Sequence, residues 1–252
     1  MKINILPLLA SLVITISGCK SNEENVTFAE RVEKAHLAKE FSSKEAIQFD
    51  LKLEFGGTER MNAKFTLLTN SSKGVIEYTN GAKIVIDKDK VFYDSTIPNE
   101  EAVRFDAYTW SYFFLFPYKL TDPGTIWTAY DNKEKDSNKF LTEKLTFTSG
   151  TGDAPDDWYV VYADATTNLI DKAAYIVTVK SGKAEAEKNP HAIQYLDYTP
   201  INGIPVATKW IFWGWQEGKG LTDEIGHATL TNIKFVAVDA DYFNAGADFK
   251  TK

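Results

Sequence analysis

The pattern of apolar and polar positions is helical over residues 27–39 and has a period of two from residue 47. Thr27 and Glu30 have the spacing of a capping box, in which each side chain bonds the backbone N–H of the other residue. Apolar side chains then recur at helical spacing. Over residues 47–55 apolar residues alternate with polar or charged ones. The pattern predicts a helix followed by a strand with one buried and one solvated face.

Strand-like segments separated by turn residues occupy most of the remaining sequence. Asn80-Gly81 is a strong hairpin signal, and Pro200-Ile201-Asn202-Gly203 predicts another turn. Further strands are predicted at residues 63–67, 75–78, 84–86, 91–93, 126–127, 140–148, 158–163, 169–179, 192–198, 206–215 and 228–236. Roughly a dozen strands are too many for a flat sheet, so we expect the sheet to curl or to close.

One apolar segment interrupts this β pattern. Residues 106–116 begin at Asp106, which can cap a helix, and end before Pro117, which stops one. A segment that is apolar on every side is buried all round. We therefore predict a buried internal helix or an irregular plug.

The first residues have the organisation of an export leader. Lys2 precedes an apolar run over residues 3–16, which is shorter than the ~20 residues of a transmembrane helix. Ile16-Ser17-Gly18-Cys19 resembles the bacterial lipobox, which implies cleavage before Cys19 and acylation of its thiol. We predict a lipoprotein signal peptide at residues 1–18, a lipidated polar tether at residues 19–26 and a single domain at residues 27–252.

The number of cysteines and the net charge limit the environments and the binding partners that the protein can have. Cys19 is the only cysteine, which excludes an intramolecular disulfide and a cysteine-based metal cluster. The formal net charge is −7, and it becomes −8 when the leader takes Lys2 away. This balance argues against nucleic acid and anionic lipid headgroups as partners. We expect attachment to a membrane through lipid on Cys19. Lys20 is not the Asp of an inner-membrane retention signal, so the outer membrane is favoured, on either face.

The order of the predicted elements resembles that of the lipoprotein localisation factors, the periplasmic carrier of outer-membrane lipoproteins and its outer-membrane receptor. The features that carry the likeness are the N-terminal helix before a long alternating strand, residues 80–87, the apolar helix, residues 158–169 and Asn202-Gly203-Ile204-Pro205-Val206-Ala207. The resemblance implies a curved, unclosed antiparallel barrel with helices across its opening. The fold prediction is therefore α+β and mainly β: an open half-barrel of roughly a dozen strands with an N-terminal helix and an internal apolar helix.

Two further segments resemble signatures of an uncharacterised lipoprotein family from flavobacteria, within the Bacteroidota. They are residues 104–113 and residues 151–159. This second resemblance implies a lipid anchor, and because the family is uncharacterised it suggests no particular activity.

Aromatic residues are concentrated in the internal helix and in one late strand. The candidates for a ligand-binding cavity are Trp110, Tyr112, Phe113, Phe114, Phe116, Trp210, Phe212, Trp213 and Trp215. On the strand, Trp210 and Phe212 face one side while Trp213 and Trp215 face the other. Two interpretations stay open: the side chains line a hydrophobic cavity for an acyl chain or similar guest, or they fill the barrel core.

Asp153, Asp156 and Asp157 surround Pro155 in a glycine-containing loop and are a weak candidate for a Ca²⁺ site. No EF-hand pattern accompanies them, and the alternative is a solvated turn. We therefore predict no metal site, and this loop is the one place in the sequence that is a candidate for Ca²⁺.

The sequence contains no catalytic motif. His36 is interpreted as a surface or boundary residue, and together with His191 and His227 it lacks the spacing of zinc ligands. A nucleophile elbow, a P-loop and a dinucleotide-binding fingerprint are all absent from the sequence. No catalytic residue and no cofactor are predicted.

We predict a non-enzymatic outer-membrane lipoprotein that binds a lipid or acyl chain in an open barrel and acts in lipid or lipoprotein handling at the cell envelope. The alternative is a surface module that binds glycan or protein through exposed tryptophans. A hydrolase is the third possibility, and no residue pattern supports it.

Overall fold

The structure is a computed structural model that describes residues 26–97, 99–239 and 241–252. The signal peptide and Cys19 lie outside the described residues. The strands are β1 (Ala46–Phe55), β2 (Thr58–Leu68), β3 (Lys73–Tyr78), β4 (Lys83–Asp87), β5 (Lys90–Tyr93), β6 (Thr125–Ala129), β7 (Phe140–Phe147), β8 (Tyr159–Asp164), β9 (Ile170–Tyr175), β10 (His191–Ile201), β11 (Ile204–Gln216), β12 (Gly220–Val236) and β13 (Lys250–Thr251). The helices are α1 (Phe28–Ala35), α2 (Ala38–Ser42), α3 (Val103–Leu115) and α4 (Lys183–Ala186). Within the described ranges, no helix is both long and apolar enough to cross a membrane.

These strands form one antiparallel sheet in the order β13-β5-β4-β3-β2-β1-β12-β11-β10-β9-β8-β7-β6. The strands at the two ends of this order, β13 and β6, do not pair with each other, so the sheet is open. Strands that follow one another in the sequence are neighbours in the sheet, except for β5 and β6 and for β12 and β13. The two pairs of neighbours that are not consecutive in sequence are β1 with β12 and β5 with β13. The predicted open antiparallel half-barrel is confirmed.

Period-two sequences and turn residues account for the register of the sheet. In β1, Phe49, Leu51 and Leu53 are fully buried, while Lys52 between the last two is exposed. The turn between β10 and β11 has positive φ at both Asn202 (50°) and Gly203 (87°), the conformation that a two-residue hairpin requires. Both hairpins predicted from Asn-Gly pairs are present.

The N-terminal helix begins at the predicted capping box. The Thr27 backbone N–H donates to Glu30 Oε2 at 2.8 Å, and the Glu30 N–H donates to Thr27 Oγ1 at 3.3 Å. The helix is shorter than the pattern indicates, because Leu37 has a left-handed backbone conformation (φ 54°) and separates α1 from α2. Phe28 and Val32 of α1 are buried in the main core.

His36 is fully buried, so its interpretation as a surface or boundary residue was wrong. The left-handed residue that follows it ends α1 and directs the imidazole into the core. Its Nε2 accepts a hydrogen bond from the Ile170 backbone N–H at 3.1 Å, and the ring lies 5.6 Å from that of Tyr198. Burial lowers the pKa of His36 to about 3, which keeps the imidazole neutral.

The internal apolar segment forms α3, which packs on the inner face of the sheet. Phe114 stacks on Phe49 of β1 with ring centroids 4.1 Å apart, and Phe113 lies 5.0 Å from Tyr175 of β9. One helix therefore contacts strands from opposite halves of the sheet.

Asp106 has a different role from the predicted helix cap, because α3 begins three residues earlier, at Val103. Its carboxylate is buried within the first turns, where Oδ1 accepts from Arg60 at 2.7 Å and from Trp110 Nε1 at 3.0 Å. Burial raises the pKa of Asp106, and the Arg60 guanidinium acts in the opposite direction. The ion pair joins α3 to β2.

Apolar clusters also cover the outer face of the sheet. One of them contains Trp158, Val160, Tyr162, Ala174, Ile176, Ala186, Ala192 and Trp215. Beside this cluster a buried Lys172 binds Glu134 at 2.6 Å, with its ammonium 4.5 Å from the Tyr162 ring centroid. The second outer cluster forms where Phe243 of the C-terminal segment covers Val75 and Val85. The main core on the inner face is thus only one of three.

Asp106→Ala is expected to lower the free energy of unfolding by about 2–3 kcal/mol, because it leaves the Arg60 guanidinium and the Trp110 indole N–H without their acceptor. Urea denaturation followed by circular dichroism measures the change. Asp248→Ala, at an exposed aspartate, is the matched control and should change stability by less than about 0.5 kcal/mol. A loss at Asp106 no larger than that of the control would contradict a stabilising role for the pair.

His36 makes stability depend on pH. Its folded-state pKa of about 3 lies below the unfolded value of 6.5, so between these pH values only the unfolded state binds the proton. The free energy of unfolding should therefore fall as pH is lowered from 6.5 towards 3, with a limiting slope from His36 of about 1.4 kcal/mol per pH unit. His36→Gln keeps an acceptor and does not titrate, so its slope should be smaller. Urea denaturation at several pH values between 3 and 7 measures the two slopes, and equal slopes in the wild type and the variant would refute this assignment.

Candidate functional site

A groove with a volume of about 540 Å³ lies along α3, between the helix and the two edge regions of the sheet. One wall comes from β2 to β4, and the other comes from β7 to β9 and the segments that follow β7 and β9. Its apolar lining residues are Leu67, Ile86, Phe105, Phe113, Leu115, Pro123, Phe147, Val177 and Val179. The arrangement can accept an elongated apolar molecule.

The period of α3 divides the helix between the core and the groove. Trp110 and Phe114 are four residues apart and point into the core, where both are about 4% exposed. Tyr108 and Tyr112, also four residues apart, face the groove and are half-buried. The segment that the sequence indicates as apolar on all sides therefore has a second, amphiphilic side made of tyrosines.

Arg104 connects the two sides of the groove. Its Nε donates to Asp153 Oδ1 at 2.8 Å, and its Nη1 donates to the carbonyl oxygens of Asp89 (3.1 Å) and Lys252 (3.3 Å). Asp153 belongs to the loop between β7 and β8, whereas Asp89 lies in the β4–β5 turn and Lys252 follows β13. We name this set of contacts the Arg104 clasp. It joins the two edge regions of the open sheet.

A group of polar side chains lines the wall next to β8 and β9. The tyrosine–aspartate cluster consists of Tyr112, Tyr159, Tyr175 and Asp157; all four line the groove. Asp157 Oδ1 accepts from both the backbone N–H and the hydroxyl of Thr178, at 2.8 and 2.7 Å. Burial raises the pKa of Asp157, while the Thr178 bonds act in the opposite direction. Burial also raises the pKa of each of the three phenols, so they are neutral at physiological pH.

The aromatic residues selected from the sequence fall into three places. Tyr112 and Phe113 line the groove. Five lie in the main core: Trp110, Phe114, Phe116, Trp210 and Phe212. Trp213 and Trp215 belong to the outer cluster, where Trp215 lies 6.2 Å from Trp158. The density of aromatic residues in the sequence marks mainly the cores, and the structure brings only two of these nine residues into the groove.

The three aspartates of the predicted loop do not converge. Asp153 is paired with Arg104, Asp157 with Thr178, and Asp156 is exposed. Among the described residues, no group of three histidine, cysteine, aspartate or glutamate side chains has the arrangement of a metal site. The loop contributes to the groove through Asp153 and Asp157 instead.

Sequence reasoning missed most of the groove walls. Ile86, Phe147, Val177 and Val179 come from separate strands and loops, and each is an ordinary apolar residue in its own segment. The nearest signal was the concentration of carboxylates at residues 153–157, two of which, Asp153 and Asp157, line the groove.

Three solved structures are similar in fold to this chain. A LolA-superfamily protein from Nitrosomonas europaea has a TM-score of 0.57 at 10% identity, over 86% of this chain and 96% of its own. A DUF1329-family protein from Desulfovibrio piger has a TM-score of 0.54 at 13% identity, over 85% and 95%. A domain described as an outer membrane lipoprotein-sorting protein, from Vibrio parahaemolyticus, has a TM-score of 0.50 at 12% identity, over 86% and 97%. No protein-family model and no curated protein sequence matches the chain.

These similarities establish the fold. The chain has the LolA-like architecture of an open antiparallel half-barrel, as the resemblance to the lipoprotein localisation factors implied. The likeness to a flavobacterial lipoprotein family stays a prediction.

Loss of the Arg104 clasp should loosen the loop between β7 and β8. Arg104→Gln removes the ion pair with Asp153, and a partly exposed pair contributes about 0.5–1 kcal/mol. Hydrogen exchange of the amides at residues 150–154 and at Asp156 should accelerate about two- to fivefold in this variant. Arg31→Ala, at an exposed arginine of α1, is the control. Unchanged exchange in the Arg104 variant would show that the clasp does not restrain the loop.

Proposed function

We propose that this chain is a non-enzymatic lipoprotein of the cell envelope that holds the acyl chain of a lipid in the groove along α3. The observation that carries the proposal is the groove itself, which is mostly apolar, is open to solvent and lies along α3 next to the packed part of the main core. Its volume of about 540 Å³ is within the range of roughly 300–1,000 Å³ that is usual for small-molecule sites.

An acyl chain is the occupant that suits the walls best. Leucine, isoleucine, valine and phenylalanine side chains supply the lining, and such contacts are favourable in proportion to the apolar area they bury, without fixing the shape of the guest. Two of the proteins of similar fold are a LolA-superfamily protein and an outer membrane lipoprotein-sorting protein domain. This likeness agrees with a lipid-handling role here.

Lipid anchoring at Cys19 is part of the same proposal. A tether of seven residues between Cys19 and the capping box would extend about 25 Å at most. The helix that follows it lies beside the groove, because Glu33 of α1 accepts from the backbone N–H and the hydroxyl of Thr121 at 2.8 and 2.7 Å, next to the groove residue Asp122. An anchor at this end would keep the groove close to the membrane surface.

The alternative of a glycan- or protein-binding module with exposed tryptophans has less support. All six tryptophans lie in the described part of the chain, and each of them is buried or half-buried. An aromatic stacking platform for sugars requires exposed rings. The groove therefore supports lipid binding better than surface recognition.

Filling the groove should abolish binding. Val177 lines the groove and is half-buried, so Val177→Trp can place its larger ring in the open volume without entering the core. We expect the purified wild-type protein to carry a lipid, or to take up a fluorescent fatty acid, and the variant to bind at least about tenfold more weakly. Native mass spectrometry of the purified protein and fluorescence titration measure the two properties.

Trp213→Ala is the matched control, because Trp213 packs against the outer cluster and not against the groove. This variant should keep the wild-type affinity. If wild-type protein carries no lipid and takes up no fatty acid, or if Val177→Trp binds as well as wild type while circular dichroism shows both folded, the groove is not a lipid site.

A further inference from the structure

The groove is not uniformly apolar, because its lining also contains a carboxylate and phenol groups. The tyrosine–aspartate cluster contains one carboxylate and three phenols, all of which line the groove. Tyr159 occupies the middle, with ring centroids 5.7 Å from Tyr112 and 6.1 Å from Tyr175. A guest in the groove would meet these groups together.

The cluster has unused hydrogen-bonding capacity. Both bonds from Thr178 go to Asp157 Oδ1, so that Oδ2 has no donor among the described residues. The hydroxyls of Tyr112, Tyr159 and Tyr175 likewise have no hydrogen-bond partner within the described part of the chain, although the hydroxyl of Tyr195 nearby in the core donates to the Phe113 carbonyl oxygen. Oxygen atoms that remain without partners along a groove wall are available to a ligand.

The charges around the groove favour a cation at this position. Arg104 is paired with Asp153 and Lys119 with Asp122, so these four charges cancel locally. Of the other charged lining residues, Lys73 lies 3.9 Å from Asp87, and Lys88 and Asp89 are adjacent residues of opposite charge. Asp157 takes part in no ion pair within the described ranges, and it lines the groove together with the three phenols. A guest carboxylate or phosphate at this point would meet a like charge, whereas an ammonium group would be attracted.

We propose that the tyrosine–aspartate cluster binds the ammonium head of an amine-bearing lipid whose acyl chain occupies the apolar length of the groove. An ammonium group has three N–H donors, which can bond Asp157 Oδ2 and two phenolic oxygens, and aromatic rings attract a cation in addition. The net charge of −7 also favours a cationic guest over an anionic one. This inference rests on the proposed function, since it names the class of lipid that the same groove selects.

Chain-matched amphiphiles test the inference. At pH 8 dodecylamine is protonated, because an alkylamine has a pKa close to that of lysine, about 10.4, whereas dodecanoate is an anion. The purified protein should bind dodecylammonium about tenfold more tightly than dodecanoate in isothermal titration, since a charge-assisted hydrogen bond distinguishes the two heads. Both probes are used below their critical micelle concentrations.

Asp157→Asn removes the charge and keeps the acceptor that Thr178 uses, so the fold should be retained. This variant should bind dodecylammonium about tenfold more weakly than wild type does and should not bind dodecanoate more weakly. Tyr175→Phe, which leaves the Thr178 bonds untouched, should also weaken dodecylammonium binding several-fold. Asp156→Asn changes the exposed neighbouring aspartate and should keep the wild-type preference.

The outcomes separate this inference from the proposed function. If both probes bind wild type with equal affinity, or if Asp157→Asn retains the preference for the amine, the ammonium site is wrong while lipid binding stands. If neither probe binds, both proposals are wrong. A preference for the amine that is lost in Asp157→Asn and kept in Asp156→Asn would establish the site.

Discussion

The inner face of an open, curved sheet is apolar and is not covered by a second half of the barrel. In this protein α3 covers it. The helix crosses the inner face and reaches strands from both halves, with Phe114 against Phe49 on one side and Phe113 against Tyr175 on the other. Where α3 packs closely on the sheet, the interior is filled at the density usual for proteins. The accessible space that remains lies along α3, between the helix and the two edge regions of the sheet, where the groove is found.

The position of α3 is fixed by charge as well as by packing, and two arginines do this in different ways. Arg60 binds a buried Asp106, whose desolvation makes the loss of either partner expensive. Arg104 binds Asp153 at the surface, together with two backbone carbonyl oxygens, where solvent screens the pair. The first contact therefore contributes to the stability of the whole fold. The second spans the edges of the sheet next to the groove and contributes less to stability than the buried pair does.

The sequence allowed the architecture to be predicted better than the site, for reasons that individual residues make clear. Period-two segments and the turn at Asn202-Gly203 depend on local backbone preference, so the hairpins and the open sheet could be expected. His36 and Asp106 were misplaced because their burial depends on contacts with Ile170 and Arg60, which are remote in sequence. The aromatic pattern was real and mainly marked the cores. No local rule distinguishes an aromatic residue that fills a core from one that lines a groove.

In the proposed function, the apolar and the polar lining of the groove would contribute differently to recognition. Burial of an acyl chain against leucine, valine and phenylalanine side chains would supply affinity, but such burial is non-directional and discriminates poorly between lipids of similar length. Hydrogen bonds to the Asp157 carboxylate, which Thr178 orients, and to the three phenols would be directional and would respond to the charge of the head group. Because an unmatched buried polar group costs more free energy than a matched one gains, selection among lipids would depend on this cluster more than on the apolar lining. The tryptophans of the outer cluster do not line the groove; they pack on the outer face of the sheet whose strands form both walls.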